Sequence, residues 1–251
     1  MGQMAVWVLT VGAGLATCVG ALLCFGRRAR GEGFLAFALA FSAGVMTAVS
    51  LCDLLPAAAE RNAQAMGRGA GGFFTLLVLV VGMLLAELLR VKVPEPECGG
   101  QGEMLRVGIV SLLAVAAHNL PEGMLVSLTA AEDLRRGLPV AIAIALHNIP
   151  EGIAIAAPVL FATGSRKKAL LLSLFAGLTE PLGAFIALTL LGGRVEAGWT
   201  GALFAAISGL MLAISFGELL PTAAEKDKKG TWLRQGLFAG TLVMLLVLLV
   251  L

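Results

Sequence analysis

Eight apolar stretches divide almost the whole sequence, at about 4–25, 34–56, 71–89, 105–130, 138–161, 168–192, 199–221 and 231–251. Each supplies the roughly 20 mostly apolar residues that a helix needs to cross the hydrocarbon core of a bilayer. Gly, Pro and clustered charges punctuate the stretches, every connection is short, and no soluble domain is attached. With 59% hydrophobic and 14% charged residues and a mean hydropathy of +0.94, the chain has too little charge to cover a water-soluble surface of this size. The pattern predicts an all-α membrane protein in which a single transmembrane domain, 1–251, spans the bilayer eight times. The first stretch begins almost at Met1, with neither a basic leader nor a small-residue cleavage site, and reads as a mature transmembrane helix.

Lys and Arg set the expected orientation. The first, third, fifth and seventh connections hold Arg27, Arg28 and Arg30; Arg90, Lys92 and Arg106; Arg166, Lys167 and Lys168; and Lys226, Lys228, Lys229 and Arg234. The opposite side holds Arg61, Arg68, Arg135, Arg136 and Arg194. This 13-to-5 division of the 18 basic residues predicts both termini outside. No pairing pattern among Cys18, Cys24, Cys52 and Cys98 points to disulfides or to a thiolate metal site, and they read as packing residues.

The sequence repeats itself twice. The 17 residues from Gly44 to Glu60 in the second span recur as Gly209 to Glu225 in the seventh, with ten identities and with Asp53 matched by Glu218. His118–Gly123 (HNLPEG) in the fourth span recurs as His147–Gly152 (HNIPEG) in the fifth. Spans 2 and 7 cross in opposite directions, as do spans 4 and 5. Inverted repeats of this kind mark secondary transporters, whose sites lie near the midplane between the halves.

His118 and His147 are the only histidines in the chain. A His and a Glu at i and i+4 share one helix face, so each motif presents an imidazole and a carboxylate together. Pro121 and Pro150 free the carbonyls of Ala117 and Leu146, which predicts a kink in each helix. A buried charge costs about 3 kcal/mol on insertion scales. Glu122 and Glu151 are both mid-span, Glu180 joins them in the sixth span, and no Lys or Arg lies deep enough to neutralise them. A bound cation is the simplest compensation.

His118, Glu122, His147 and Glu151 form a nitrogen and oxygen donor set that suits Zn²⁺ and tolerates Fe²⁺, Mn²⁺ or Cd²⁺. Asn119 and Asn148, with Glu180 and the shared glutamates, offer a second, oxygen-rich site. A helix-packing polar network and a proton relay are the alternatives. Three carboxylates crowded at low dielectric imply that the empty site holds protons, which metal binding releases.

Met46, Ser50 and Asp53 share a helix face, repeated by Met211, Ser215 and Glu218. Asp53 is expected to line the outer end of a transport path and Glu218 the cytoplasmic end. Glu87 reads as a helix-end acid beside Arg90. The Pro-, Gly- and acid-rich segment from Val91 to Glu103 reads as a flexible linker that includes Cys98.

Two HNxPEG helices followed by Thr179-Glu180-Pro181-Leu182-Gly183 resemble the ZIP (Zrt-, Irt-like protein) family of metal transporters, in particular its bacterial ZupT- and GufA-like members. The resemblance covers essentially the whole chain. It implies a 3+2+3 bundle with inverted three-helix repeats, a homodimer in the bacterial inner membrane, alternating access, and import of divalent metal with zinc foremost. It assigns His118, Glu122, His147 and Glu151 to a first metal site, and Asn119, Glu122, Asn148, Glu151 and Glu180 to a second. It also places Asp53 near the outer entrance. It implies no prosthetic group and no nucleic-acid partner. Many relatives carry a His-rich loop between spans 3 and 4, and this chain has no histidine there. A metal exporter or channel built on the same ligands stays open, whereas an intramembrane metalloprotease would need an HExxH-type helix that neither motif provides.

Overall fold

A computed structural model describes residues 2–26, 31–94, 100–190 and 197–250. Eight helices among the described residues are long and apolar enough to cross a membrane. They are α1 (Met4–Leu23), α2 (Glu32–Met66), α3 (Arg68–Lys92), α4 (Gln101–Glu132), α5 (Leu134–Thr163), α6 (Arg166–Thr189), α7 (Trp199–Lys226) and α8 (Thr231–Val250). Arg27, Arg28, Arg30, Arg194 and Cys98 lie outside the described residues.

Local chemistry explains where these helices differ from the apolar stretches. Helix α5 starts at Leu134 because the Asp133 side chain caps it, accepting from the Arg135 N–H at 2.9 Å. It ends at Gly164, whose φ of +64° suits a left-handed cap. Helix α2 runs ten residues past its expected end, to Met66. Pro56 looks like a breaker, but a π-turn at Ser50–Leu54 precedes it, with the Leu55 N–H donating to the Ser50 carbonyl. The repeat in α7 copies this: a π-turn at Ser215–Leu219 with the Leu220 N–H donating to Ser215, just before Pro221. Asp53 and Glu218 therefore sit inside matching π-turns. Helices α4 and α5 run uninterrupted through Pro121 and Pro150.

The packing is two-fold. Exchanging α1–α3 with α6–α8, and α4 with α5, maps most main helix contacts onto others: α1 with α5 onto α6 with α4, α2 with α8 onto α7 with α3, α2 with α5 onto α7 with α4. Close backbone approaches repeat in the same way. A Cβ at Gly44 would collide with the Leu237 carbonyl and one at Gly209 with the Leu79 carbonyl. Helices α3 and α8 are the least covered, each with 17% of its most apolar window buried, and carry long rows of outward Leu, Val and Phe.

Candidate metal site

The two HNxPEG segments face one another where α4 packs on α5. Glycine explains the last letter of the motif. A Cβ at Gly123 would strike the Glu180 carbonyl of α6, and one at Gly152 the Thr17 carbonyl of α1. The x residues are held equally closely, since Gly183 abuts the Leu120 carbonyl and Gly20 the Ile149 carbonyl. These four backbone contacts clamp α4 and α5 between α1 and α6.

Six polar side chains, His118, Asn119, Glu122, His147, Asn148 and Glu151, are buried at this contact. The carboxylates pair across the helices, the imidazole of one motif with the carboxylate of the other. His118 Nε2 lies 2.9 Å from Glu151 Oε1, and His147 Nε2 lies 3.4 Å from Glu122 Oε2. The two-fold relation between α4 and α5 is the cause: each motif turns its imidazole towards the other's carboxylate. Both Nδ1 atoms are buried without a partner.

The asparagines hold the carboxylates from behind. With its amide nitrogen towards Val115 O at 3.0 Å and Glu151 Oε2 at 3.3 Å, Asn119 finds acceptors for its donors. Asn148 donates to the Ala13 carbonyl at 3.0 Å and to Glu180 Oε1. Glu180 is fully buried, its Oε2 has no partner, and it lies within electrostatic reach of Glu122, His147 and Glu151. No Lys or Arg is buried among the described residues. As they stand, no three His, Cys, Asp or Glu side chains among the described residues are grouped closely enough to hold an ion. The quartet is two closed imidazole–carboxylate pairs, made of side-chain types that can ligate zinc.

Helices α2 and α7 supply the remaining candidates. Met46 and Met211 are buried, as are Ser50 and Ser215, whose hydroxyls both lack partners. Asp53 is exposed and lies within electrostatic reach of His147, Glu122 and Arg61. Glu218 is buried and taken by Arg106, Nη1 to Oε1 at 3.2 Å. Arg106 also donates to the Arg90 carbonyl at 2.9 Å, and Arg90 to the Gly217 carbonyl at 2.9 Å. One end of α7 is thus tied to α3 and α4. Arg106 read in the sequence only as a loop base; its offset from the HNLPEG motif, matched by Arg135 before HNIPEG, was the available signal. Glu87 pairs with Arg90 at 3.2 Å and is half exposed. Cys24 is buried and Cys18 partly so, but Cys52 is exposed and is not a packing residue.

The Arg106–Glu218 pair makes a prediction. Glu218 is buried and Arg106 partly so, and removing the arginine strands the carboxylate, at a cost of about 1–3 kcal/mol. Arg106→Ala should lower the melting temperature in detergent, and Arg106→Ala/Glu218→Gln should recover much of the loss. A double variant as unstable as Arg106→Ala would show that the pair is not what holds these helices.

Eight membrane-length helices and an inverted internal symmetry around a buried imidazole–carboxylate core define a polytopic membrane protein of the secondary-transporter type. Residues 95–248 match the family model "ZIP Zinc transporter". The chain is 41% identical to the zinc transporter ZupT of Corynebacterium glutamicum, over 96% of this chain and 97% of that protein. It is 37% identical to ZupT of Streptococcus mutans, over 97% and 96%, and 40% identical to ZupT of Chlorobium luteolum, over 97% of each. The chain belongs to the ZIP zinc transporter family, and so is a multi-pass membrane transporter rather than an enzyme.

Proposed function

We propose that this protein imports zinc into the cytoplasm through the space between α4 and α5, with His118, Glu122, His147 and Glu151 as ligands and Asn119, Asn148 and Glu180 as a flanking oxygen-rich set. The observation that carries this reading is the crossed pairing of two buried imidazoles with two buried carboxylates, with no buried Lys or Arg beside them. Each His–Glu contact satisfies the pair while no ion is present, and a cation that takes both partners replaces it. The donors suit Zn²⁺ and accept Fe²⁺, Mn²⁺ and Cd²⁺ as competitors.

Both ends of the path lie in π-turns. The Glu218 end, closed by Arg106, is the cytoplasmic one in the orientation that the Lys and Arg distribution favours, with both termini outside. At the other end, Asp53 is exposed and within electrostatic reach of His147. Alternating access then exchanges ion pairs between the inverted halves. Arg106–Glu218 opens, and its repeat counterpart Arg135–Asp53, unpaired among the described residues, forms.

Zinc uptake into proteoliposomes of known protein orientation tests this reading. Accumulation down a zinc gradient from the Asp53 side is expected, with Fe²⁺, Mn²⁺ and Cd²⁺ competing. Net flux only towards the Asp53 side would make the protein an exporter. Flux at ion-channel rates, without saturation, would make it a channel. Acid should oppose binding, because imidazole and carboxylate must lose protons to ligate. For each proton displaced, zinc affinity falls about tenfold per pH unit as pH drops. Equal affinities at neutral and mildly acidic pH would contradict ligation by these residues.

A further inference from the structure

We infer that Thr17 is a further oxygen donor of the metal site, standing in the Asn119 half where Glu180 stands in the Asn148 half; this rests on the site proposed above. The evidence is a third inverted repeat, between α1 and α6. Gly14, Thr17 and Gly20 match Gly177, Glu180 and Gly183, each pair 163 positions apart, and their contacts match as well. A Cβ at Gly14 would strike the Gly177 carbonyl, and one at Gly177 the Gly14 carbonyl. The Thr17 carbonyl abuts Gly152 as the Glu180 carbonyl abuts Gly123. The side chains occupy equivalent places: the Glu180 Cβ is 3.5 Å from a Cβ built at Gly14, and the Thr17 Oγ1 is 3.3 Å from one built at Gly177.

The chemistry of the Thr17 hydroxyl supports the assignment. Thr17 is fully buried and its Oγ1 has no hydrogen-bond partner. A helical Thr or Ser in an apolar setting can donate to the carbonyl four residues back, as Thr10, Ser42, Thr75, Thr163 and Ser208 do here and Thr17, Thr47, Ser50, Ser111, Ser173 and Ser215 do not. For Thr17 that carbonyl belongs to Ala13, and Asn148 Nδ2 occupies it at 3.0 Å. An unpartnered buried hydroxyl costs free energy, and it lies one turn from the carbonyl that a proposed ligand holds. Offering its lone pairs to a divalent cation gives it a partner. The site is then unsymmetrical, with a carboxylate on one side of the two-fold and a neutral hydroxyl on the other. An ion bound there rests nearer Glu180 and Asn148.

Equilibrium zinc binding to the purified full-length protein in detergent, with thermal melting alongside, tests the inference. Thr17→Val, which keeps shape and removes the hydroxyl, should weaken zinc binding about fivefold to tenfold, with little change in melting temperature, and Thr17→Ser should restore it. Glu180→Thr should weaken binding more. Thr17→Glu/Glu180→Thr, which moves the carboxylate to the mirrored position, should regain most of that loss. Wild-type affinity in a folded Thr17→Val protein would overturn the inference. So would a folded double variant no better than Glu180→Thr. Glu122→Gln serves as the reference: if it leaves zinc binding intact, the site itself is misplaced and this inference falls with it. If Glu122→Gln abolishes binding while Thr17→Val does not alter it, Thr17 alone is excluded.

Discussion

Glu151→Ala should reduce zinc uptake at least about a hundredfold while leaving an assembled protein in the membrane. Glu151 is fully buried, and its two oxygens are held by different groups: Oε1 by His118 at 2.9 Å and Oε2 by Asn119 at 3.3 Å. Truncation removes one proposed ligand and leaves the His118 ring without its carboxylate. Stranding a buried polar group costs about 1–3 kcal/mol. This lowers stability but does not undo a bundle clamped by the glycine contacts around both motifs. Glu151→Gln separates the two effects. It keeps the volume and one acceptor oxygen, so melting should return part of the way towards wild type while uptake stays lost. Glu122→Ala should behave as Glu151→Ala does, because the two-fold makes its contact with His147 the same contact seen from the other helix. Radiolabelled zinc uptake into proteoliposomes, with protein quantified in the vesicles, gives the comparison. Undiminished flux in both alanine variants would remove the quartet from the transport path.

The spans, the repeats and the candidate quartet were legible because they rest on residue type. Apolar runs report helices, and a lone pair of histidines in a repeated hexapeptide picks out the residues that the fold buries together. Geometry that depends on how two helices face each other was not legible. Spacing within HNLPEG places His118 and Glu122 on one face, yet the imidazole pairs with Glu151 across the interface. The α1–α6 repeat was hidden for a related reason. Its signature is backbone proximity, which leaves only short matches of small and apolar residues, Ala-Gly-Leu at 13–15 and 176–178 and Gly-Ala at 20–21 and 183–184 with Leu9 and Leu172 before them, in common. Thr17 and Glu180 do not look like counterparts until those glycines align them. Pro56 misled in the other direction, since a π-turn absorbs it and α2 continues to Met66. Arg106 was counted for its charge, and only folding brings it to Glu218.

Cross-linking should capture the exchange of ion pairs. In a background with Cys18, Cys24, Cys52 and Cys98 replaced by Ala, Arg106→Cys/Glu218→Cys places thiols where an ion pair already joins α4 and α7. A short thiol cross-linker should join them readily and stop uptake. Asp53→Cys/Arg135→Cys places thiols at the mirrored positions on α2 and α5, which are unpaired among the described residues. These should react poorly at rest, because the conformation that joins them is the minor one. Weakening the pair at the other end should raise their yield. Adding Glu218→Gln to Asp53→Cys/Arg135→Cys removes an attraction present only in the closed Glu218 end, and a ligand-free equilibrium shifts by whatever free energy separates its two states. A shift of about 1.4 kcal/mol raises the minor state about tenfold, well within reach of a gel assay. The 53–135 cross-link should then block uptake as the 106–218 cross-link does, each trapping one of the two orientations of the site. If the 53–135 pair stays unlinked in every condition while the cysteine-free protein transports zinc, the Asp53 end does not close through Arg135, and the inverted halves are not exchanging these pairs.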